Sequence, residues 1–291
     1  MNYSFPRKKP SPVPKIIVTP EYLAKGSLKK SYINTRLAFN VPWMGVVAMA
    51  FAKYPFFYNS LWQYMHPLTK SIEFDNLCKR LVIISKKKAL ELKPKPLIKS
   101  LKKIGYNSYE IKKINEVNQI FTTGNMPYLI MATIARIFLG EGELLNTKSF
   151  KKNNSTSIKS DKNYLLLIEQ HHANKSLKEI YKSIKRNLGL PFLNTDYRAF
   201  ARWPSYFEMA WKSFLPALLS TKYEEKVLEI HNFIIKEALS LPNPNKVKSI
   251  QIINAAKKDK KLNEIKKVVD LFQWLLPGLI TNVAFMREQI K

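Results

Sequence analysis

The sequence predicts an all-α fold made of two tandem, pseudo-symmetric helical repeats packed into a single pseudo-dimeric domain. Three observations lead to this prediction. One pattern of prolines and aromatic residues occurs twice, 149 positions apart. The chain has 17 prolines and 8 glycines, a balance that suits helices with rigid starts better than tight hairpins. No convincing run of alternating apolar and polar residues indicates a β-strand.

The repeat is clearest when residues 41–67 are aligned with residues 190–216. The same register continues without a gap to residues 92 and 241, and it contains 12 identities in 52 aligned positions. Unrelated sequences would give roughly 3 at ordinary residue frequencies. A period of this length indicates a duplicated half-domain rather than a solenoid of short repeats. The matched residues include Pro42/Pro191, Phe51/Phe200, Pro55/Pro204, Trp62/Trp211 and Pro67/Pro216.

The first half of the chain begins with a basic, proline-rich tail, residues 1–18, which we expect to be disordered or extended. Repeat 1 covers residues 19–140, and Thr19-Pro20-Glu21 has the pattern of a helix start. Its prolines predict short helices with sharp turns between them. A helix over 71–92, two shorter helices split near 105–108, and an apolar helix opened by Asn125-Met126-Pro127 complete the repeat.

The second half of the chain follows the same plan after a linker. Residues 141–162 are polar and unpatterned, which predicts a connection between the copies. Repeat 2 covers residues 163–291 and opens with a basic amphipathic helix over 163–187. It closes with Pro277-Gly278-Leu279-Ile280, the counterpart of Pro127-Tyr128-Leu129-Ile130.

Charge and cysteine content limit the class of protein. The net charge of +28 would suit an acidic partner, but 41 of the 49 basic residues are lysine, so compositional drift and a functional basic surface both remain open. The single cysteine, Cys78, excludes a disulfide framework. The N-terminus lacks the apolar core of a signal peptide, and the longest charge-free apolar run, Val41 to Ala52, is too short to span a membrane. We therefore expect a cytoplasmic protein.

The motifs of several common chemistries are missing from the sequence. Four histidines occur without HExxH or CxxC spacing, so no metal site is predicted. Neither a phosphate-binding glycine loop nor a GxSxG nucleophile elbow is present. Because nucleic-acid-binding signatures are also missing, nucleic acid is not the expected partner.

Asp196 breaks the symmetry of the repeat, because its counterpart in copy one is Val47. It is one of 5 aspartates in the chain and lies among mostly apolar residues, where a carboxylate needs partners or a function. Two structural explanations are open. Asp196 or Thr195 could cap the following helix, or Asp196 could pair with Arg198 or Arg202.

Asn125 shows the opposite asymmetry, since it precedes Pro127 where Leu275 precedes Pro277. Asn125 could also serve as a helix cap. Yet one polar residue from each copy, facing an apolar counterpart, is what a single polar site in an apolar cleft would require.

These residues lie in the stretches through which the chain resembles the group I 2-haloacid dehalogenases, an all-helical family that acts on D- and L-2-haloacids. The stretches are NTDYRAFARWPSYFEMAW (194–211) and TTGNMPYLIMATIARI (122–137). The resemblance runs from about Thr19 to the C-terminus. It implies that Asp196 is the general base for a water, that Asn125 helps hold this water, and that Trp43 lines the pocket. A second-repeat pocket tyrosine of the family has no clear match among residues 272–275.

The resemblance further implies direct hydrolysis without a metal or organic cofactor, on a small anionic carboxylate substrate, in a protein that is expected to form a homodimer. Backbone N–H groups around Asn194 to Tyr197, including those of Thr195 and Tyr197, could bind the substrate carboxylate. Two other functions remain open. One is a family member that has lost dehalogenation and binds a small carboxylate or a partner, and the other is a basic helical protein that binds nucleic acid or an anionic membrane.

Overall fold

The computed structural model describes residues 3–151 and 165–291. These residues contain twelve α-helices, one 3₁₀ turn at Glu21–Leu23 and no β-strand. The helices of the first half are α1 (Gly26–Phe39), α2 (Val46–Ala52), α3 (Pro55–Leu68), α4 (Ile72–Glu91), α5 (Ile98–Lys103) and α6 (Ser108–Leu139). Those of the second half are α7 (Lys175–Leu188), α8 (Thr195–Phe200), α9 (Pro204–Leu218), α10 (Thr221–Leu239), α11 (Ser249–Lys258) and α12 (Leu262–Glu288).

The spacing of the helices agrees with the predicted repeat. Helices α7, α8, α9 and α10 begin 149 residues after α1, α2, α3 and α4, respectively. The local geometry matches as well. Both α1 and α7 end in a left-handed residue, Asn40 (φ 51°, ψ 52°) and Gly189 (φ 60°, ψ 40°). Both α3 and α9 begin with a proline, for which the missing N–H and fixed φ are suited to the first helical position. How the two repeats pack together stays a prediction.

The chain divides into two compact units. Unit 1 contains residues 1–81, 124–162 and 229–277, and unit 2 contains residues 82–123, 163–228 and 278–291. Each unit therefore draws residues from both predicted repeats.

In unit 1, α11 packs against α3. The carboxylate of Asp259, at the end of α11, accepts hydrogen bonds from the backbone N–H groups of Phe56 and Phe57 at 3.2 and 2.8 Å. These bonds satisfy free N–H groups at the first turn of α3 and place a negative charge at its N-terminus. Deeper in the unit, the Tyr64 hydroxyl donates to the carbonyl of Pro242 at 3.0 Å.

In unit 2, α9 lies against α7 and α8. The indole Nε1 of Trp211 on α9 donates to the hydroxyl of Ser183 on α7 at 3.0 Å. Aromatic side chains fill the space around α8, where Phe200 contacts Phe121, Tyr206 and Phe207 with ring centroids 5.8 to 6.3 Å apart. The result is a dense aromatic core around a very short helix.

One predicted helix boundary is wrong. Pro127 does not open a helix but lies inside the long helix α6, as its counterpart Pro277 lies inside α12. An internal proline removes one hydrogen bond and costs a helix about 3 kcal/mol. Here the side chains from Tyr128 to Ala135 are completely or almost completely buried, and this burial offsets the local cost. Asn125 is therefore a residue within a helix rather than a cap.

The N-terminal tail is extended over its described residues, 3–18, which is one of the two states expected for it. The Tyr3 hydroxyl contacts the carbonyls of Ile137 and Gly140 at 3.3 and 3.0 Å, and Phe5 is buried. The carbonyl of Phe5 lies 2.9 Å from Nε2 of His231. The prolines prevent a helix, as predicted, but the two aromatic side chains hold the tail against unit 1.

The structure bears on three further predictions, which concern two helix starts and the linker. The start at Thr19-Pro20 yields a 3₁₀ turn, and α1 begins later, at Gly26. The basic helix predicted over 163–187 begins at Lys175, because the Asn174 side chain caps it by accepting from the N–H of Leu177 at 2.9 Å. In the predicted linker, residues 141–151 form no helix, and residues 152–162 lie outside the described residues.

Among the helices that the structure describes, α12 is the one long and apolar enough to cross a membrane. However, 89% of its most apolar window is buried inside the protein, which is typical of a core helix.

Candidate active site

Asp196 lies at the second position of α8 and is 3% exposed. The N-cap residue of this helix is Asn194, whose side chain makes no capping hydrogen bond among the described residues. An N-cap residue precedes the first helical residue, so neither Asp196 nor Thr195 has that role and the capping explanation is wrong.

The two arginines considered as partners of Asp196 contact other groups. Arg198 forms an ion pair with Glu169, with Nη1 and Oε1 2.6 Å apart. Its Nη2 also donates to the Thr195 hydroxyl at 3.3 Å. The guanidinium of Arg202 lies over the ring of Trp203, 5.1 Å from its centroid. Both arginines therefore contact groups other than Asp196, and a pairing of either one with Asp196 stays a prediction.

Tyr197, the residue after Asp196, is fully buried and hydrogen-bonded. Its hydroxyl oxygen accepts from Nδ2 of Asn282 on α12 at 2.8 Å. Oδ1 of the same amide accepts from the hydroxyl of Tyr223 on α10 at 2.7 Å. Burial raises the pKa of Tyr197, the Asn282 hydrogen bond lowers it, and the negative charge of Asp196 raises it further. The Tyr197 hydroxyl is consequently protonated at neutral pH.

Trp43 belongs to unit 1, where its backbone is fixed by Tyr128 of α6. The Tyr128 hydroxyl donates to the carbonyl of Trp43 and accepts from the N–H of Gly45, both at 2.8 Å. The indole itself lies against Gly124, where an added Cβ would be 2.4 Å from Cη2 of the ring. Asn125, the next residue of α6, is 4% exposed.

Each predicted site residue can thus be placed within its own unit. Thr195, Asp196 and Tyr197 share the first turn of α8 in unit 2. In unit 1, Asn125 directly follows the glycine against which Trp43 packs. The pairing of Asp196 with Asn125 around one water stays a prediction. No cluster of three or more His, Cys, Asp or Glu side chains that could hold a metal ion occurs in the described residues.

The comparisons with known proteins identify the family. No protein-family model matches the chain. An (R)-2-haloacid dehalogenase of Rhizobium sp. (strain NHG3) is 37% identical over 248 residues, which cover 84% of this chain and 95% of the relative. An (R)-2-haloacid dehalogenase of Pseudomonas putida is 30% identical over 293 residues, which cover 96% of this chain and 95% of the relative. The chain belongs to the 2-haloacid dehalogenase family.

Solved structures in the dehalogenase family have the same fold. A D-2-haloacid dehalogenase mutant gives a TM-score of 0.89 at 29% identity and covers 98% of this chain and 99% of its own. A complex of D-2-haloacid dehalogenase with L-LA gives 0.88 at 30% identity with the same coverage. The predicted all-α class and the predicted family are therefore confirmed.

Sequence reasoning missed two residues of this dehalogenase that the structure connects to α8, namely Tyr223 and Asn282. A comparison of the two copies could have indicated both residues. The counterpart of Tyr223 is Phe74, and the counterpart of Asn282, in the register that aligns Pro277 with Pro127, is Ala132. These positions break the symmetry in the same direction as Asp196 and Val47. Among residues 272–275, where the pocket tyrosine of the family has no clear match, the ring of Phe272 packs edge-on against Phe51 with centroids 6.1 Å apart.

Proposed function

We propose that this protein hydrolyses short-chain 2-haloacids by direct attack of water at C2, with the (R)-enantiomer as the preferred substrate. The observation that carries the proposal is the buried carboxylate of Asp196 on α8, at a position where copy one has Val47. The names of the two curated relatives, both (R)-2-haloacid dehalogenases, support the substrate and its configuration.

In the proposed reaction, Asp196 removes a proton from water while the water oxygen forms a bond to C2. The carbon–halogen bond breaks on the opposite side, and its electron pair leaves with the halide. (R)-2-Chloropropionate would therefore give (S)-2-hydroxypropionate and chloride, with inversion at C2. The proton on Asp196 then passes to solvent. In this proposal, neither a metal nor an organic cofactor takes part in the reaction.

The other residues have positioning roles in this proposal. The Asn125 amide can both donate and accept, so it can fix the direction of the attacking water. Trp43 provides an apolar wall. The backbone N–H groups of Thr195 and Tyr197, in the first turn of α8, would bind the substrate carboxylate. The net charge of +28 favours the approach of an anionic substrate. A homodimer stays a prediction.

The test is halide release from (R)- and (S)-2-chloropropionate by wild type, Asp196→Asn and Asp75→Asn. Asp75 is a partly exposed aspartate paired with Lys79, so it provides the same substitution away from α8. We expect release from the (R)-enantiomer, a loss of about 10²- to 10⁴-fold in Asp196→Asn, and unchanged activity in Asp75→Asn. No release from either enantiomer by a folded wild-type protein would overturn the proposal and favour a family member that only binds carboxylates.

A further inference from the structure

Three buried side chains of unit 2 form a continuous line of hydrogen bonds. The line ends at Tyr197, the residue that follows Asp196 in the sequence. The Tyr223 hydroxyl donates to Oδ1 of Asn282 at 2.7 Å, and Nδ2 of Asn282 donates to the Tyr197 hydroxyl at 2.8 Å. The three residues are at most 3% exposed. They come from α10, α12 and α8, so the line joins three helices that are not consecutive in sequence. We refer to these residues as the Tyr–Asn–Tyr network.

We propose that the Tyr–Asn–Tyr network positions the Asp196 carboxylate for proton abstraction and that its members are positioning residues of the reaction. The inference rests on the proposed function, because it assigns a purpose to residues that support its base. None of the three side chains needs to touch the substrate. They act through the backbone of α8, to which Asp196 and Tyr197 are attached as neighbours.

The length of α8 explains why such support matters. A helix of six residues has few internal hydrogen bonds and is unstable alone, so its orientation depends on contacts made by its side chains. Tyr197 provides these contacts. Its ring stacks on Phe207, with centroids 6.2 Å apart and planes at 28°, and meets Trp211 edge-on at 6.1 Å. The Asn282 amide then fixes the end of the ring, which limits rotation of the helix about its axis and keeps the direction of Asp196.

The repeat separates this role from a general requirement of the fold. In copy one, Tyr197, Asn282 and Tyr223 are replaced by Ala48, Ala132 and Phe74, respectively. The counterpart of Asp196 is Val47. All three polar groups are thus missing where the carboxylate is missing. Helix α2 of copy one still forms with the same length as its counterpart to within one residue. The network therefore accompanies the carboxylate and is not required for the helix to form.

Copy one also fixes its short helix in a different way. There the Tyr128 hydroxyl bonds to the backbone on either side of Met44, before α2 begins. The residue that matches Tyr128 in copy two is Gly278, which has no side chain. Copy two instead has the Tyr–Asn–Tyr network, which acts on a residue inside the helix and adjacent to the base.

The expected effect is on the chemical step more than on substrate binding. A misplacement of a reacting group by about 1 Å can reduce a rate by about 10²-fold, and loss of one supporting hydrogen bond should allow only part of this displacement. We expect Tyr197→Phe to lower kcat by about tenfold while KM changes less than about threefold. Tyr223→Phe, which removes an oxygen two hydrogen bonds further along the line, should lower kcat by about threefold.

The experiment compares these variants with Tyr206→Phe. Tyr206 is also a fully buried tyrosine of unit 2 whose hydroxyl accepts from a single amide, Nδ2 of Asn118 at 3.3 Å. kcat, KM and the unfolding midpoint are measured for all three variants with (R)-2-chloropropionate. The Tyr206→Phe variant should lose stability to a similar extent but keep kcat within about twofold. The Tyr197→Phe/Tyr223→Phe double variant should be about as slow as Tyr197→Phe alone, because both substitutions interrupt one network.

Wild-type kcat in folded Tyr197→Phe and Tyr223→Phe would overturn the inference, and so would equal losses in Tyr206→Phe. If Tyr197→Phe does not fold, Tyr223→Phe decides, because it keeps the Tyr197 ring and its hydroxyl. An inactive wild-type protein would instead contradict the proposed function, so the two failures can be told apart.

Discussion

Position 124 is restricted to glycine because the indole of Trp43 lies against it. A Cβ there would be 2.4 Å from Cη2 of Trp43 and 3.0 Å from Cγ1 of Val41. Both neighbours are side chains of the segment that precedes α2, so this glycine determines how closely the segment approaches α6. The position of Trp43, and with it one wall of the proposed pocket, depends on the absence of a side chain at residue 124.

We expect Gly124→Ala to displace Trp43 and thereby raise KM for (R)-2-chloropropionate several-fold. The free energy of unfolding should fall by about 1–3 kcal/mol, the usual cost of overpacking. Steady-state kinetics and urea denaturation measure the two effects. Thr123→Ala, on an exposed neighbouring position of α6, is the control and should change neither quantity. An unchanged KM in Gly124→Ala would separate Trp43 from the substrate pocket.

For single residues, the sequence can indicate a functional position when the two copies differ in polarity at that position. Asp196 and Asn125 stand out in the sequence because each is a polar residue whose counterpart in the other copy is apolar, and their joint site stays a prediction. Tyr223 and Asn282 were missed because their role depends on contacts across 59 and 85 residues of sequence. Side-chain pairing between distant helices leaves no periodic pattern, and only a position-by-position comparison of the copies would have indicated it.

The helix ends show how two copies solve one backbone problem with different residues. Asn40 and Gly189 occupy the same left-handed position after α1 and α7. Glycine adopts this conformation without strain, whereas asparagine tolerates it at a small cost and β-branched residues do so poorly. The backbone N–H of Asn40 bonds to the carbonyls of Arg36 and Leu37, so the conformation closes the helix.

Asn40→Gly should therefore keep or raise stability by about 0.5 kcal/mol, while Asn40→Val should lower it by about 1–2 kcal/mol. Gly189→Asn, the reverse exchange in copy two, should lower stability slightly. Thermal unfolding of the three variants tests the prediction. A destabilised Asn40→Gly would indicate that the asparagine side chain, rather than the backbone conformation, is what α1 requires.

Helix starts could be predicted where a local sequence rule decides them. Prolines at the first helical position, such as Pro55 and Pro204, gave correct helix starts because the rule is local. The rule failed at Pro127 and Pro277, where the surrounding residues of α6 and α12 are buried. Burial is a property of the folded chain, and it can outweigh a local preference that the sequence pattern expresses.

At the scale of the whole molecule, the N-terminal tail is part of the folded structure of unit 1. Its carbonyl at Phe5 lies 2.9 Å from Nε2 of His231, and Nδ1 of His231 lies 3.1 Å from Nε2 of Gln273. Burial lowers the pKa of His231, the Phe5 hydrogen bond opposes this shift, and the positive charges of Arg7 and Arg136 lower the pKa further. The neutral imidazole is therefore the form that the folded state favours.

This arrangement predicts a pH-dependent stability. Because the pKa of His231 is lower in the folded state than its ordinary value of 6.5, the unfolded state binds the proton more readily as the pH falls. The stabilisation from the neutral form is complete above pH 6.5 and is lost as the pH drops from there through the folded pKa. Urea denaturation at pH 7.5 and pH 5 should show a smaller decrease for His231→Gln than for wild type. Equal decreases would contradict this role, and His171→Gln, at an exposed histidine, is the control.

In the proposed mechanism, Asp196 activates a water instead of attacking the substrate itself. The most direct measurement is a single turnover in H₂¹⁸O with the protein in molar excess over (R)-2-chloropropionate. Direct attack by water predicts ¹⁸O in the hydroxyl group of the product from the first turnover. A first-turnover product with ¹⁶O, together with ¹⁸O incorporated into the Asp196 carboxylate, would show an ester intermediate and exclude direct attack by water.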